Sequence, residues 1–249
     1  MSDGWEDSAD AWVASQGEEG DFGRRWVMDA PMLERVRRRP YVRALDVGCG
    51  EGRFCRMLAG EGIAAVGIDP TVALIDHARR LDPGGDYRVE AAEAIGFDGG
   101  AFDLVISYLS LIDIPDVATA IREMTRVLAP GGTLLIANLA GYNSAADAHG
   151  LGWVTLADGR RVHAMDDYLE ERTAWIEWRG IRIRNWHRPL GAYMTPLLEQ
   201  GLTLTHFAEP PAHGGDPARQ ALYNRAPWFL LMEWQKPRAG SSSGPTGRA

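Results

Sequence analysis

One stretch constrains this chain more than any other: an apolar strand that runs into three glycines at alternate positions and then into a helix, Ala44-Leu45-Asp46-Val47-Gly48-Cys49-Gly50-Glu51-Gly52. Glycine there lets the backbone turn sharply and lets a ligand approach the main chain without meeting a Cβ. A dinucleotide fingerprint, G-x-G-x-x-G, would need glycine at position 53, and this chain has Arg53. Asp46 ahead of the loop and Glu51 within it make the neighbourhood negative. That charge suits a cofactor with a cationic portion better than a pyrophosphate.

Around this loop, short apolar runs alternate with helical spacings. Ala44–Val47, Ala64–Ile68, Tyr87–Val89, Leu104–Ser107 and Thr133–Ala137 read as strands, with Phe54, Met57 and Leu58, then Val72, Ile75 and Ala78, at helical intervals between them. A further helix is expected from Pro115 through Leu128, stopped by Pro130-Gly131-Gly132 before the fifth strand. Such alternation predicts an α/β fold with a parallel sheet and right-handed crossovers. Leu202–Phe207 and Trp228–Trp234 come late and close together, as an antiparallel pair finishing one edge. The expectation is therefore a Rossmann-like, seven-stranded, mostly parallel sheet.

Two regions stand outside that rhythm. Residues 1–41 carry Trp5, Trp12, Phe22 and Trp26 among acids and arginines, which suits an amino-terminal helical lid. Residues 141–187 interrupt the main domain (42–236) with Trp153, Tyr168, Trp175, Trp178 and Trp186, and 175–184 alternate around Arg179-Gly180 as a hairpin would. Because ligands of open α/β sheets sit at the strands' carboxyl ends, an aromatic insertion after the fifth strand reads as a cap over a site, or as an element merely cemented to the core. The tail 237–249, rich in Ser, Gly and Pro, reads as disordered.

Composition narrows the partners. With 34 acids against 26 bases among 249 residues the net charge is −8, so nucleic acid is disfavoured and a small molecule is expected. Lys236 is the only lysine. Cys49 and Cys55 have no companions at metal spacing, so neither a metal site nor a structural disulfide is expected. The acidic start MSDGWEDSADAW and the lack of any run near ~20 apolar residues point to a cytoplasmic protein with no membrane span.

Seventeen residues after Gly52 lies Asp69, at the tip of the second strand, where a carboxylate can accept both ribose hydroxyls of a nucleoside, or serve only as an acid at the next helix's start. With it the chain resembles the class I S-adenosylmethionine-dependent methyltransferases. Asp46–Gly52 is similar to their glycine motif, Asp69 to their ribose-binding acid, Ala92–Phe97 with Phe102–Ser107 to the segment around strands three and four, and Arg126–Gly132 to the turn before strand five. The likeness covers about residues 42–138 and is nearest the ubiquinone-biosynthesis and natural-product small-molecule branch. It implies S-adenosyl-L-methionine as cofactor, with Gly48 and Gly50 approaching its methionine moiety, Asp46 on its ammonium, Asp69 on its ribose, Pro70 and Ala92 near adenine, and Ser107 at the methionine end. The cofactor's carboxylate would fall to Arg25 or Arg24. Many relatives carry an Asp where this chain has Ala91, leaving adenine to Glu93, to the backbone at Ala92 or to a water.

The reaction so implied is in-line methyl transfer to O, N or C of a small, aromatic or acidic acceptor. A base is needed only if the acceptor arrives protonated. His187, in Asn185-Trp186-His187-Arg188-Pro189-Leu190, is the candidate catalytic residue, with local helix capping as the alternative, and Arg188 is placed to meet an acidic substrate group. Trp12, Tyr108, Asp113 and His149 are further candidate acceptor contacts. Two other readings remain open at this point. One is a noncatalytic cofactor-binding protein on the same fold; the other is a nicotinamide-dependent reductase, which Arg53 and the lone lysine disfavour.

Overall fold

The computed structural model describes residues 3–147 and 152–240. Its centre is a seven-stranded sheet in the order β10-β11-β5-β4-β1-β2-β3. The strands are β1 (Arg43–Val47), β2 (Ala64–Asp69), β3 (Asp86–Val89), β4 (Phe102–Tyr108), β5 (Leu128–Leu139), β10 (Thr203–Ala208) and β11 (Phe229–Gln235). The first five pair in parallel, and β11 runs antiparallel between β5 and β10. The strand order reverses between β1 and β4, so a crevice opens at their carboxyl ends.

Period-two alternation sorts the side chains onto two cores. Leu45 and Val47 of β1, Val105 of β4, Leu134 and Ile136 of β5 and Met232 of β11 face α5 (Val117–Val127) and α7 (Leu190–Glu199). Ala44, Ile106, Leu135 and Leu231 face the other way, onto α2 (Asp29–Arg37) and α3 (Arg53–Gly60). The faces of α5 follow the same logic, with Val117, Ile121, Met124 and Val127 buried at three- and four-residue intervals.

Two boundaries differ from the sequence expectation. Helix α5 begins at Val117 rather than Pro115, because the Asp116 carboxylate accepts from Thr119 N at 3.0 Å and caps it. At its other end the chain enters β5 directly at Leu128, without a separate turn. Lys236 Nζ donates to Thr125 O and Leu128 O, both at 2.7 Å, and so satisfies carbonyls of that last turn.

The amino-terminal segment forms α1 (Trp5–Gln16), a π-helical turn (Arg24–Met28) and α2. Glu6 accepts from Ala73 N at 3.2 Å, at the start of α4 (Val72–Leu81), which seats α1 on that helix. The insertion after β5 holds α6 (Gly141–Asp147), the hairpin β6 (Gly152–Thr155) with β7 (Arg161–Ala164), and the hairpin β8 (Arg172–Trp178) with β9 (Ile181–His187). The β8–β9 turn is Arg179-Gly180, at φ 46° and 82°, the left-handed pair that a two-residue hairpin requires. The outer edge of β9 meets α1: Arg182 N donates to Ser8 Oγ at 3.0 Å and Arg184 N to Asp3 O at 2.8 Å. A last short helix, α8 (Pro217–Tyr223), precedes β11. Among the described residues no helix is long and apolar enough to cross a membrane.

Candidate active site

The glycine loop leaves β1 by a bend that only glycine adopts without strain: Gly48, Gly50 and Gly52 have φ of 75°, 56° and 77°. Space forbids side chains there as well. A Cβ on Gly48 would stand 2.3 Å from Ser110 Cβ, and one on Gly52 2.5 Å from the Tyr87 ring. Only Gly50 has a softer neighbour, Trp12 of α1, whose ring edge would lie 3.3 Å from such a Cβ. The loop is tied to β2 by Gly48 N and Cys49 N, which donate to Ile68 O at 2.8 and 3.0 Å.

Three carboxylates converge on this bend. Asp46 is buried and accepts a weak bond from Cys55 Sγ at 3.6 Å; burial, with Asp69 and Glu51 nearby, pushes its carboxyl up to about 7. Asp69 accepts from Gly50 N and Thr71 N at 3.0 and 2.9 Å, and burial still raises it. Burial also raises Glu51, whose Oε2 pairs with Arg56 while its buried Oε1 has no hydrogen-bond partner among the described residues. Such a site is short of positive charge and of hydrogen-bond donors.

These groups open onto a cavity of about 130 Å³ at the crevice between β1 and β4. Asp46, Gly48, Gly50, Asp69, Pro70 and Ala92 line its loop side, with Glu93 beside them. Trp5, Trp12, Tyr108, Asp113, Ile114 and Pro115 complete the lining, with Trp12 lying over Gly50. Trp5 and Trp12 meet edge to face at 5.8 Å. The Tyr108 hydroxyl donates to Asp29 Oδ1 at 2.9 Å, and burial holds that phenol well above its usual range.

Similarity to known proteins bears out the fold and the family. Residues 45–136 match the family model described as a methyltransferase domain. The chain is 34% identical to a ubiquinone biosynthesis O-methyltransferase of Chelativorans sp. over 102 residues, 39% of this chain and 40% of that one. It spans only 40% and 41% of the length of two such relatives. A third, from Brucella anthropi, is 31% identical over 174 residues, which cover 65% of this chain and 68% of the relative. The chain belongs to the class I S-adenosylmethionine-dependent methyltransferases. The crystal structure of an S-adenosylmethionine dependent methyltransferase from Mesorhizobium loti matches it with a TM-score of 0.74 at 26% identity, covering 88% of this chain and 100% of that one. The family's cofactor is S-adenosylmethionine, and the residues of this methyltransferase fit it: a cradle that any Cβ would fill, and buried carboxylates with an unpartnered oxygen beside it, suit a ligand that carries its own cation.

Several sequence candidates lie elsewhere. Arg25 is exposed, paired with Glu19 and stacked on Trp26 at 4.7 Å; its neighbour Arg24 lines the cavity instead, 5.3 Å from the Trp12 ring and 5.9 Å from that of Tyr108. Ser107 is buried behind Ser110, the two hydroxyls 2.7 Å apart, and Ser110 is the one that reaches the cavity. His187 does not face the cavity: Nδ1 lies 2.8 Å from Ser144 Oγ and Nε2 2.9 Å from Tyr168 O, so both ring nitrogens are engaged. It borders a separate void of about 10 Å³ under the insertion, barely room for one water. Arg188, 2% exposed, donates to the carbonyls of Leu111, Ile114 and Pro115 and is no free anion site. His149 lies outside the described residues.

The insertion is also placed differently from a cap. Among the described residues, none of the insertion 141–187 lines the cavity; α1 covers it, and β9 braces α1 from outside. Asp3, Gln16 and Ser110 line it without having stood out in the sequence. The one available signal was the aromatic spacing of Trp5 and Trp12, which share a helix face.

Proposed function

We propose that this chain transfers the methyl group of S-adenosylmethionine to O, N or C of a small metabolite. The observation that carries the reading is the convergence of buried Asp46, Glu51 and Asp69 on three left-handed glycines at the sheet's switch point. Bound there, the cofactor supplies an electrophilic methyl group on a sulfonium.

Asp46 and the free oxygen of Glu51 hold the ammonium, Asp69 the ribose hydroxyls, and Arg24 the carboxylate. Pro70, Ala92 and Glu93 flank adenine, which makes Glu93 and the backbone at Ala92 the means of reading it in the absence of an acid at Ala91. Gly48 and Gly50 let the main chain approach, with Ser110 packed behind Gly48. Trp5, Trp12 and Tyr108 exclude water and fix the acceptor's approach. Alignment of that kind supplies most of the acceleration in a displacement where the donor's charge is being neutralised.

Titration calorimetry with S-adenosylhomocysteine and, separately, NADH tests the binding; transfer of a tritiated methyl group to a metabolite panel tests the chemistry. Binding of the first ligand alone and label in a small product are expected. No heat and no thermal shift with S-adenosylhomocysteine would defeat the reading.

A further inference from the structure

Resting on the donor reading just given, we infer that Asp113 receives the acceptor, and that the acceptor presents an N–H or O–H group rather than a carboxylate. The cavity's loop side is committed to the donor, which leaves the wall of Trp5, Trp12, Tyr108, Asp113, Ile114 and Pro115 for the second substrate. Two aromatic rings at 5.8 Å and an edge-to-face angle suit a flat, compact frame.

Polar character on that wall is one-sided. Its cations are already committed: Arg24, which lines the cavity, to the donor's carboxylate in the reading above, and Arg53 to Asp29, donating to Oδ1 at 3.0 Å. Of the acids on the α1 side, Asp3 accepts from Trp5 N at 3.1 Å and so caps α1. Asp113 remains. It stands on the loop after β4, and it accepts from Asn185 Nδ2, the amide of β9 that orients it, and from the Trp5 side chain. An ionised carboxylate has about four acceptor sites, so these two bonds leave room for an incoming donor.

The loop that carries Asp113 is held rigidly. Trp186 N donates to Ile112 O at 2.7 Å, and Arg188 binds the carbonyls on either side, at Leu111 and Ile114. Burial raises the Asp113 carboxyl well above the usual carboxylate range, more than bonds from Asn185 and Trp5 lower it. Its ionised form is therefore a stronger base than an exposed carboxylate. Only the ionised form of Asp113 can take the acceptor's proton, and in that form an anionic acceptor would make a desolvated like-charge contact, with Asp3 and Asp69 adding to the repulsion.

In the step so assigned, the acceptor's lone pair forms the bond to the methyl carbon as the carbon–sulfur bond breaks, its electron pair going to sulfur. The acceptor's proton passes to an Asp113 carboxylate oxygen. Asp113 is thus a catalytic residue and Asn185 a positioning residue.

The test uses the full chain saturated with S-adenosylhomocysteine and three probes on one frame, 4-methylphenol, benzylamine and benzoate, read by saturation-transfer NMR. 4-Methylphenol or benzylamine should contact the wild type and benzoate should not; which of the two binds separates a hydroxyl from an amine acceptor. Asp113→Asn should weaken that contact about tenfold and lower methyl transfer to the same probe about 100-fold. S-adenosylhomocysteine binding by the variant should stay at the wild-type value, which also reports its folding. If Asp113→Asn does not fold, Asn185→Ala, which frees the carboxylate to turn away, must show the same loss of probe contact. Failure of S-adenosylhomocysteine to bind the wild type would sink the donor reading. With that binding intact, equal contact by benzoate, no contact by either protic probe, or probe contact unchanged in the variants would overturn this inference alone.

Discussion

The main-chain amide of Gly50 donates to Asp69 Oδ2 at 3.0 Å, so the carboxylate at the tip of β2 also holds the glycine loop of β1 in place. Asp69→Ala removes both the tether and the acceptor for a nucleoside's ribose. S-adenosylhomocysteine should bind about 10- to 100-fold more weakly, the loss expected for hydrogen bonds to a charged group, as measured by calorimetry. Asp69→Asn should fall between, because its amide keeps one oxygen acceptor.

Gly48→Ala meets two obstacles, a φ of 75° and Ser110 Cβ at 2.3 Å. The expected cost is about 2 kcal/mol or more of stability by chemical denaturation, with loss of cofactor binding. Adding Ser110→Gly removes the steric part alone, so the double variant should recover part of that stability and not all.

His187→Ala should act on the fold. Its ring nitrogens bridge Ser144 and Tyr168, and removing the buried ring takes away both bonds at about 1–3 kcal/mol, a fall of several degrees in Tm. The affinity for S-adenosylhomocysteine should not change. A large loss of affinity at unchanged Tm would contradict this placement.

Ionisation of Asp46 sets a pH dependence. In the folded chain its carboxyl ionises near 7, and in the unfolded chain near the ordinary value of about 3.9. Between those values the native state binds more protons than the unfolded state, so this group's contribution makes stability fall as pH rises from about 4 to about 7, and it is level beyond. Asp69, raised in the same direction, adds to the trend. A cationic ligand favours the ionised form, so binding near pH 6 should release protons. The enthalpy of S-adenosylhomocysteine binding should then differ between buffers of unlike ionisation enthalpy at pH 6, and converge by pH 8.

Arg188 binds three carbonyls of the segment that carries Asp113. Arg188→Ala should cost about 3 kcal/mol or more, since it orphans buried acceptors. Arg188→Lys should be intermediate, because an ammonium lacks the planar fork that spans them.

Strand positions and the glycine loop were legible in the chain because their signals are local. Short apolar runs mark β1, β4 and β5 as strands covered on both faces, and a left-handed turn announces itself as glycine, as at Gly48, Gly50 and Gly180. Asp69 was legible by its distance from the loop, one helix and one strand further on.

The misplacements have one kind of cause. Arg24 and Arg25 are adjacent, and the phase of the π-helical turn after Gly23 decides which of them points inward. Ser107 yields to Ser110 because Leu109, at φ 59°, reverses the chain just past β4. His187 and Arg188 look like chemistry in sequence, yet β9 turns both inward, where carbonyls and Ser144 take up their polar atoms.

Local periodicity and glycine chemistry determined the sheet, its nucleoside-binding loop and the acids that flank it, since each is set by neighbours a few residues apart. Tertiary structure alone decided which of the two expected covers closes the cavity, because Trp5 and Trp12 line it only when α1 docks on α4 and β9. It likewise decided which polar side chains stay available: a side chain's reactivity depends on whether distant segments of the chain have already satisfied it.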